Sequence, residues 1–280
     1  MSSTPTAGAG KPTAAGALLR NAVAYLAFPL LLLAIWQALA MSGLYRRQVL
    51  PAPTDVILVW ADLVIGNLDI AGRYAGSWFE HAKTSTARVF AGFAWGTGLG
   101  IVLGLLIGLS RLIEKAIDPT IQVMRNVPVT AWVPLSLVFF GIGNSPAIFL
   151  IGLGAFFPSV LNTTLGVRQV NQILVKAATM MGATRRELIQ RVILPAAVPS
   201  IMTGVRLSMG IAWVLVVVAE ILAVRSGLGY LLNDAYQFYR NDVVIAAMLS
   251  IGVLGFLSDR LVVLLRDRLL GWNRLETYNG

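Results

Sequence analysis

The sequence predicts an all-α integral membrane protein, and three observations support this fold class. Hydrophobic residues make up 57% of the chain and charged residues only 12%, which is about half the charged fraction of a typical soluble domain. Six apolar runs are each roughly 20 residues long, the length that a helix needs to cross about 30 Å of hydrocarbon. Lys and Arg are also distributed unevenly among the segments that join these runs. Almost the whole length therefore belongs to one membrane domain.

The six predicted transmembrane helices lie near residues 22–41, 86–109, 122–141, 146–165, 198–223 and 243–265. Pro128 and Pro134 interrupt the third run and Pro158 the fourth. Such prolines kink a helix and are tolerated where neighbouring helices or a cavity satisfy the freed carbonyl groups. The first run is long for a secretory signal peptide and further spans follow it, so we interpret it as a retained transmembrane helix.

The basic residues predict the orientation of the chain. If the N-terminus lies inside, the inner segments hold most of the Lys and Arg residues, as the positive-inside rule requires. Both termini are therefore predicted to be cytoplasmic. This topology also explains the formal net charge of +9, so we expect membrane lipids around the protein and no nucleic-acid partner.

The composition predicts three parts. Residues 1–20 are rich in Ser, Thr, Gly, Ala and Pro and are predicted to form a disordered cytoplasmic N-terminus. Residues 21–270 form the transmembrane domain, and residues 271–280 a cytoplasmic tail. Within the domain, residues 44–80 form an outer segment and residues 166–200 a basic cytoplasmic loop.

The outer segment is predicted to contain a short amphipathic helix through Trp60 to Ile65, capped by Thr54 or Asp55. A second outer stretch, residues 227–242, is polar and contains three aromatic residues in its second half. They are Tyr236, Phe238 and Tyr239. We favour an interfacial aromatic belt as their role, and contact with an external partner is the alternative.

The second apolar run carries a row of glycines spaced four residues apart. They are Gly92, Gly96, Gly100, Gly104 and Gly108. Such a row lets another helix approach closely. The row either packs against a helix of the same chain, which we favour, or forms a subunit or gate interface.

The sequence argues against an enzyme and against a metal site. It contains no cysteine and one histidine, His81, so neither a thiolate site nor a histidine cluster can form. No Walker A motif is present, because the stretch from Gly8 to Lys11 lacks the leading Gly and the following Ser or Thr. An ion-coupled secondary transporter would be expected to show duplicated halves and paired intramembrane carboxylates, and neither is evident.

The basic loop contains residues that typically begin and end helices. Residues 172–181 are predicted to form a helix that ends at Gly182, a residue suited to the C′ position. Thr184 and Glu187 have the spacing of a capping box, which would start a second short helix. Pro195 is predicted to end that helix.

Several motifs of the sequence resemble those of a known family. The loop residues Ala177-Ala178, Gly182 and Leu194-Pro195 are similar to the EAA motif of binding-protein-dependent ABC importer permeases. Further stretches resemble the nitrate, sulfonate and taurine branch of that family. They are Arg125 to Leu135, Phe140 to Gly143, Gly154 to Pro158, Thr203 to Arg206, Ala212-Trp213, Ala219-Glu220 and Gly227 to Tyr230.

The resemblance implies a type I ABC importer permease fold in a bacterial inner membrane. Two permease copies would form the pore as a homodimer, and two separate ABC ATPase subunits would bind ATP and Mg²⁺. A periplasmic or lipid-anchored solute-binding protein would deliver the solute. The implied solute is a small oxyanion, such as an aliphatic sulfonate, taurine or nitrate, and a pyrimidine precursor is the alternative.

The resemblance also implies which residues contact the ATPase. They are Lys176, Ala177, Ala178, Gly182, Leu194 and Pro195. Lys176 departs from the family pattern, which usually has Glu at that position. A carboxylate accepts hydrogen bonds, whereas an ammonium group only donates them. The ATPase therefore differs locally, or position 176 does not carry the coupling.

Candidate residues of the translocation path are ionisable or aromatic side chains in or near the spans. They are Arg125, Trp132, Phe139, Arg206, Trp213 and Glu220. Ionisable groups inside a membrane are costly and invite a functional interpretation. For Arg125 and Arg206, snorkelling or structural pairing is the favoured alternative. Arg225 is the candidate partner of Glu220, and Asp259 and Arg260 are expected to be structural.

Overall fold

The computed structural model of the protein describes residues 14–269, and every regular element in this range is helical. The α-helices are α1 (Ala14–Met41), α2 (Pro53–Ile65), α3 (Trp78–Leu109), α4 (Arg111–Met124), α5 (Val133–Phe140), α6 (Asn144–Arg168), α7 (Gln172–Met180), α8 (Arg185–Glu187), α9 (Leu194–Ala223), α10 (Leu228–Gln237) and α11 (Asn241–Leu269). Gly72–Tyr74 and Val129–Trp132 form 3₁₀ turns, and Leu188–Ile193 forms a π-helical turn.

Within the described range, four helices are long and apolar enough to cross a membrane: α3, α6, α11 and the continuous helix Arg185–Ala223. A bent pair, Arg111–Met124 with Val129–Phe140, brings the number to five if it is one span. The first predicted span corresponds to α1, whose described apolar part, Leu26–Met41, is shorter than these. The all-α membrane prediction is confirmed.

The third predicted span, 122–141, is wrong as a single helix. Helix α4 ends at Met124, and the next helical segment runs at 89° to it. Pro128 lies at the break and Pro134 is the second residue of α5. Proline donates no backbone hydrogen bond and disfavours the α conformation of the residue before it, so the chain turns here.

The centre of the molecule is a layer of three helices, in which α6 packs against α3 on one side and α9 on the other. All five glycines of the row on α3 face α6. A Cβ added at Gly96 would lie 2.1 Å from the carbonyl oxygen of Gly152, and one added at Gly104 would lie 2.7 Å from Thr163. The row is therefore a packing surface within the chain, as favoured from the sequence.

Two hydroxyl contacts connect the layer internally. Ser159 Oγ and Ser208 Oγ lie 2.8 Å apart between α6 and α9, and both residues are fully buried. Thr164 Oγ1 donates to the carbonyl of Gly104 at 3.2 Å, between α6 and α3. Such hydrogen bonds satisfy polar groups that would be costly in an apolar environment.

Outside this layer, α2 and α10 cover the end of the bundle at which α9 ends and α11 begins. Helix α2 is capped by Ala52 without a side-chain hydrogen bond, and Pro53 occupies its first turn. The predicted caps Thr54 and Asp55 are therefore wrong, because Pro53 starts the helix before them, where a missing N–H costs nothing.

A buried carboxylate organises the loop that follows α2. Asp62 Oδ1 accepts a hydrogen bond from the N–H of Leu68 at 2.8 Å. Its Oδ2 accepts from Ile70 at 2.9 Å and from Ala71 at 2.7 Å. The hydrogen bond from Ala71, followed by those from Leu68 and Ile70, holds the pKa of Asp62 below its usual value against the opposing effect of burial.

The predicted domain boundaries are only partly within the described range. Helix α1 begins at Ala14, so residues 14–20, predicted to be disordered, are helical. The rest of that N-terminal stretch and the predicted tail, 271–280, lie outside the described residues.

Candidate functional site

The first half of the basic loop is helix α7. The side chain of Asn171 caps its N-terminus by accepting from the N–H of Ile173 at 2.9 Å. At its other end Gly182 has φ +83°, its N–H reaches the carbonyl of Thr179, and the N–H of Ala183 reaches that of Ala178. These two hydrogen bonds form a Schellman motif. The predicted role of Gly182 as the C′ residue is confirmed.

The second half of the loop begins with the predicted capping box. Thr184 Oγ1 accepts from the N–H of Glu187 at 3.4 Å, and Glu187 Oε2 accepts from the N–H of Thr184 at 3.0 Å. The helix then continues without a break into α9, so Pro195 does not end it and that prediction is wrong. Pro195 has no N–H to donate, and its ring clashes with the carbonyl one turn earlier in a regular α-helix. The wider π-helical turn at Leu188–Ile193 accommodates the proline.

The structure brings part of the predicted ATPase-contacting set together. A groove of about 530 Å³ lies between α7 and the start of α9, and Ala177, Ala178 and Pro195 line it. Gly182 lines an adjoining recess of about 370 Å³. Lys176 is exposed and lines neither, and Leu194 packs instead in the cluster around Val167 and Ala197.

The loop also exposes large apolar side chains that were not singled out as contact residues from the sequence. Ile173 is 72% exposed, Met180 87% and Met181 81%. Ile173 lies in the first turn of α7, and Met180 and Met181 lie at its end. Methionine adapts its shape to a partner surface, so these exposed residues suit a protein contact. Apolar residues beside the cap Gly182 were the available sequence signal.

A buried ion pair lies where α3 approaches the end of α9. Arg88 Nη1 donates to Glu220 Oε1 at 2.7 Å, and both side chains are almost fully buried. Arg225 is not the partner of Glu220, contrary to the prediction, because Glu220 points inward from α9 toward α3. Arg88 was missed because its partner is remote in sequence.

The surrounding groups complete this buried network. Arg88 also donates to the side chains of Asn144 and Ser226 and to the carbonyl of Ser226. Glu220 accepts further hydrogen bonds from Ser85 Oγ and from the N–H of Gly229. The network fixes the α9–α10 turn against α3 and α6.

A second ion pair joins α9 to α11. Arg206 Nε donates to Asp259 Oδ1 at 2.7 Å and Arg206 Nη2 donates to Oδ2 at 2.9 Å. Arg206 is therefore ion-paired in the structure, and its partner is Asp259. Unlike the pair on α3, this one is half exposed, with 51% of the arginine and 31% of the aspartate side chain accessible.

The remaining path candidates differ in exposure. Arg125, at the end of α4, is exposed, and Phe139 on α5 is 72% exposed. Trp132 packs partly against the cluster around Val133 and Ala147. Trp213 is buried, although it lines an open groove beside α11. Among the described residues, no group of His, Cys, Asp and Glu could hold a metal ion.

Comparison with known proteins assigns these features to a family. Residues 96–271 match the family model described as the binding-protein-dependent transport system inner membrane component. The chain is 39% identical to the Bacillus subtilis strain 168 protein named as an aliphatic sulfonates transport permease, SsuC, over 91% of this chain and 88% of that protein.

Two further relatives carry other solute names. The taurine transport system permease protein TauC of Escherichia coli strain K12 is 33% identical over 86% of both chains. The nitrate import permease protein NrtB of Leptolyngbya laminosa is 35% identical over 85% of this chain and 84% of its own.

Solved structures show the same fold. A chain of the MetNI methionine ABC transporter, solved in inward-facing conformations, matches with a TM-score of 0.52 at 20% identity, over 65% of this chain and 93% of that chain. The chain therefore has the type I ABC importer permease fold and belongs to the family of binding-protein-dependent transport system inner membrane components, which are multi-pass permeases.

Proposed function

We propose that this permease carries a small oxyanion across the membrane, in an ATP-driven importer whose ATPase is a separate polypeptide. The observation that carries the proposal is the loop between α6 and α9. It is a pair of capped helices with exposed apolar residues, joined without a break to a transmembrane helix. A push on such a loop is transmitted directly into the membrane domain.

The contact with the ATPase is proposed to use the grooved side of the loop. Ala177 and Ala178 are small and allow close approach, Gly182 holds the turn, and Pro195 closes the groove. Lys176 and Leu194 complete the set implied by the family. Two ATPase subunits, with ATP and Mg²⁺, would serve a homodimer of this chain, whose termini would both lie in the cytoplasm.

The solute is proposed from the relatives. Those compared here carry aliphatic sulfonate, taurine or nitrate in their names, and all three solutes are small oxyanions. A periplasmic or lipid-anchored binding protein would deliver the solute to the outer face. Arg125, Phe139 and Arg206 are proposed to line the path because they are exposed, and the less exposed Trp132, Trp213 and Glu220 are further candidates.

Reconstitution tests this function. The permease is assembled in proteoliposomes with its cognate ATPase and solute-binding protein, and uptake of labelled taurine, an alkanesulfonate and nitrate is measured. We expect uptake of at least one oxyanion that requires both ATP and the binding protein. Uptake by the permease alone, driven by an ion gradient, would instead show a secondary transporter. Uptake of a pyrimidine without any oxyanion would establish the alternative solute class.

A further inference from the structure

A long open groove runs between α9 and α11, and the Arg206–Asp259 pair lies in its middle. On one side of the pair is a recess of about 540 Å³ that also reaches Arg266. On the other side is an apolar recess of about 760 Å³. The two recesses share Gly210 and Asp259, so they form one continuous surface.

The groove is not closed by side chains of the described chain. A Cβ added at Gly210 or Gly252 would meet no atom within 4 Å. A Cβ added at Gly255 would have only Trp213 as a neighbour, at 3.6 Å. These glycines are therefore not required for packing within the described residues, unlike the row on α3. Their effect is to leave room along the groove.

Arg206 lies well inside the membrane-spanning helix. It lies about 12 Å beyond residue 198, where the predicted span begins, and about 26 Å before the end of α9, at 1.5 Å per residue. Exposed residues close to it on α9, such as Leu207, Ile211 and Val214, are apolar. An arginine on a lipid-facing surface at this depth is costly. The charge is explained if this face borders a polar path.

The bonding of Arg206 is incomplete, in contrast to that of Arg88. Arg88 is surrounded by Asn144, Ser226 and Glu220, whereas Arg206 has hydrogen bonds only to Asp259 among the described residues. Asp259 likewise accepts only from Arg206 there. Both side chains remain partly accessible. The carboxylate can therefore be replaced on the guanidinium without breaking another hydrogen bond among the described residues.

We propose that Arg206 is an anion-binding site of the translocation path, and that Asp259 is the internal anion that a solute displaces. This inference rests on the proposed oxyanion transport. A sulfonate or nitrate presents two oxygens to the guanidinium fork, as the carboxylate does. Competition from Asp259 keeps the affinity low, so the solute also leaves, a condition that any conduction site must meet.

Arg266 extends the same arrangement along α11. It lines the recess that contains Arg206, and its Nη2 donates to Asp267 Oδ1 at 2.8 Å. Its side chain is 39% accessible. A second arginine held by an exchangeable acid adds positive potential at one end of the groove, which favours the movement of an anion along it.

The test uses the complete importer in proteoliposomes, with oxyanion uptake and binding-protein-stimulated ATP hydrolysis measured in parallel. We expect R206Q to lower uptake roughly 10-fold or more, the loss expected for a hydrogen-bonded charged partner, while stimulated ATP hydrolysis continues. R206K keeps the charge and loses the fork, so its uptake should be intermediate. D259N should lower the KM for the solute, because the competing charge is gone.

The double variant R206Q/D259N separates an anion site from a structural ion pair. A site requires the cation, so the double variant should transport as poorly as R206Q. Uptake restored to the wild-type level by the double variant, or unchanged uptake by R206Q, would overturn the proposal. A wild-type importer that carries no oxyanion would instead overturn the proposed function, so the two failures are distinguishable.

Discussion

Arg88 and Glu220 are 132 residues apart in the sequence, yet Arg88 Nη1 and Glu220 Oε1 lie 2.7 Å apart in the interior. The pair ties α3 to the end of α9, and the hydrogen bond from Gly229 to Glu220 extends it to α10. Gly227 adjoins the carboxylate with φ +108°, and a Cβ there would lie 2.2 Å from Glu220 Oε1. The α9–α10 turn is thus shaped around this one carboxylate.

Removing one member of this pair should destabilise the protein strongly. R88M or E220M leaves a buried charge without its partner, and such losses cost roughly 3–5 kcal/mol. The double variant R88M/E220M should be more stable than either single variant, because no uncompensated charge remains. Thermal unfolding of the purified protein in detergent measures this. Equal unfolding temperatures for the wild type and R88M would contradict the buried network.

The glycine row offers a matched pair of substitutions. G96A places a methyl group 2.1 Å from the Gly152 carbonyl and should cost at least about 1–3 kcal/mol through overpacking. G98A, one half-turn away, meets no atom within 4 Å and should be neutral or stabilising by about 0.5–1 kcal/mol, because alanine favours the helix. Unfolding temperatures of the two variants should therefore move apart. Equal losses would mean that α3 packs with a different face.

The turn at Gly182 should be sensitive to backbone conformation and not to size. No atom lies within 4 Å of a Cβ added there, but its φ of +83° is unfavourable for a β-branched residue. We expect G182V to reduce ATP-driven uptake severely and G182N, which tolerates this conformation, to retain most of it. Normal uptake by G182V would remove the loop from the coupling path.

Lys176 provides the contrasting case on the same helix. Its side chain is exposed and makes no hydrogen bond or ion pair with other described residues, and it lines neither groove of the loop. K176E should therefore leave uptake near the wild-type level and the fold unchanged. The same proteoliposome assay applies. A large loss of uptake with normal assembly would show that position 176 contacts the ATPase directly.

Asp62 should make the outer segment sensitive to acid. Its pKa is lowered in the folded protein, so its stabilising effect is complete above about pH 4 and is lost as the pH falls through the folded value. The wild type should lose more stability than D62N between pH 6 and pH 3. Thermal melts followed by tryptophan fluorescence measure the difference, with Trp60 and Trp78 as nearby reporters. Parallel pH profiles would exclude this role.

Local features of the loop followed directly from the sequence. The capping box at Thr184 and the Schellman turn at Gly182 depend on residues a few positions apart, so the sequence contains all of their components. The glycine row could also be predicted from the sequence, because spacing alone places it on one slowly turning face of the helix. The continuation of the helix through Pro195 could not be predicted, since a π-helical turn depends on how the flanking helices are held.

The sequence by itself determined that this is a helical membrane protein with a capped basic loop, because hydrophobic length and helix caps act locally, and its motifs carry the resemblance to a permease family. Only the tertiary structure decided which charges meet. Glu220 pairs with Arg88 instead of the nearby Arg225, and Arg206 pairs with Asp259 on another helix. The physical reason is that an ion pair depends on side chains meeting across helices, and that proximity is set by the packing of α3, α6, α9 and α11.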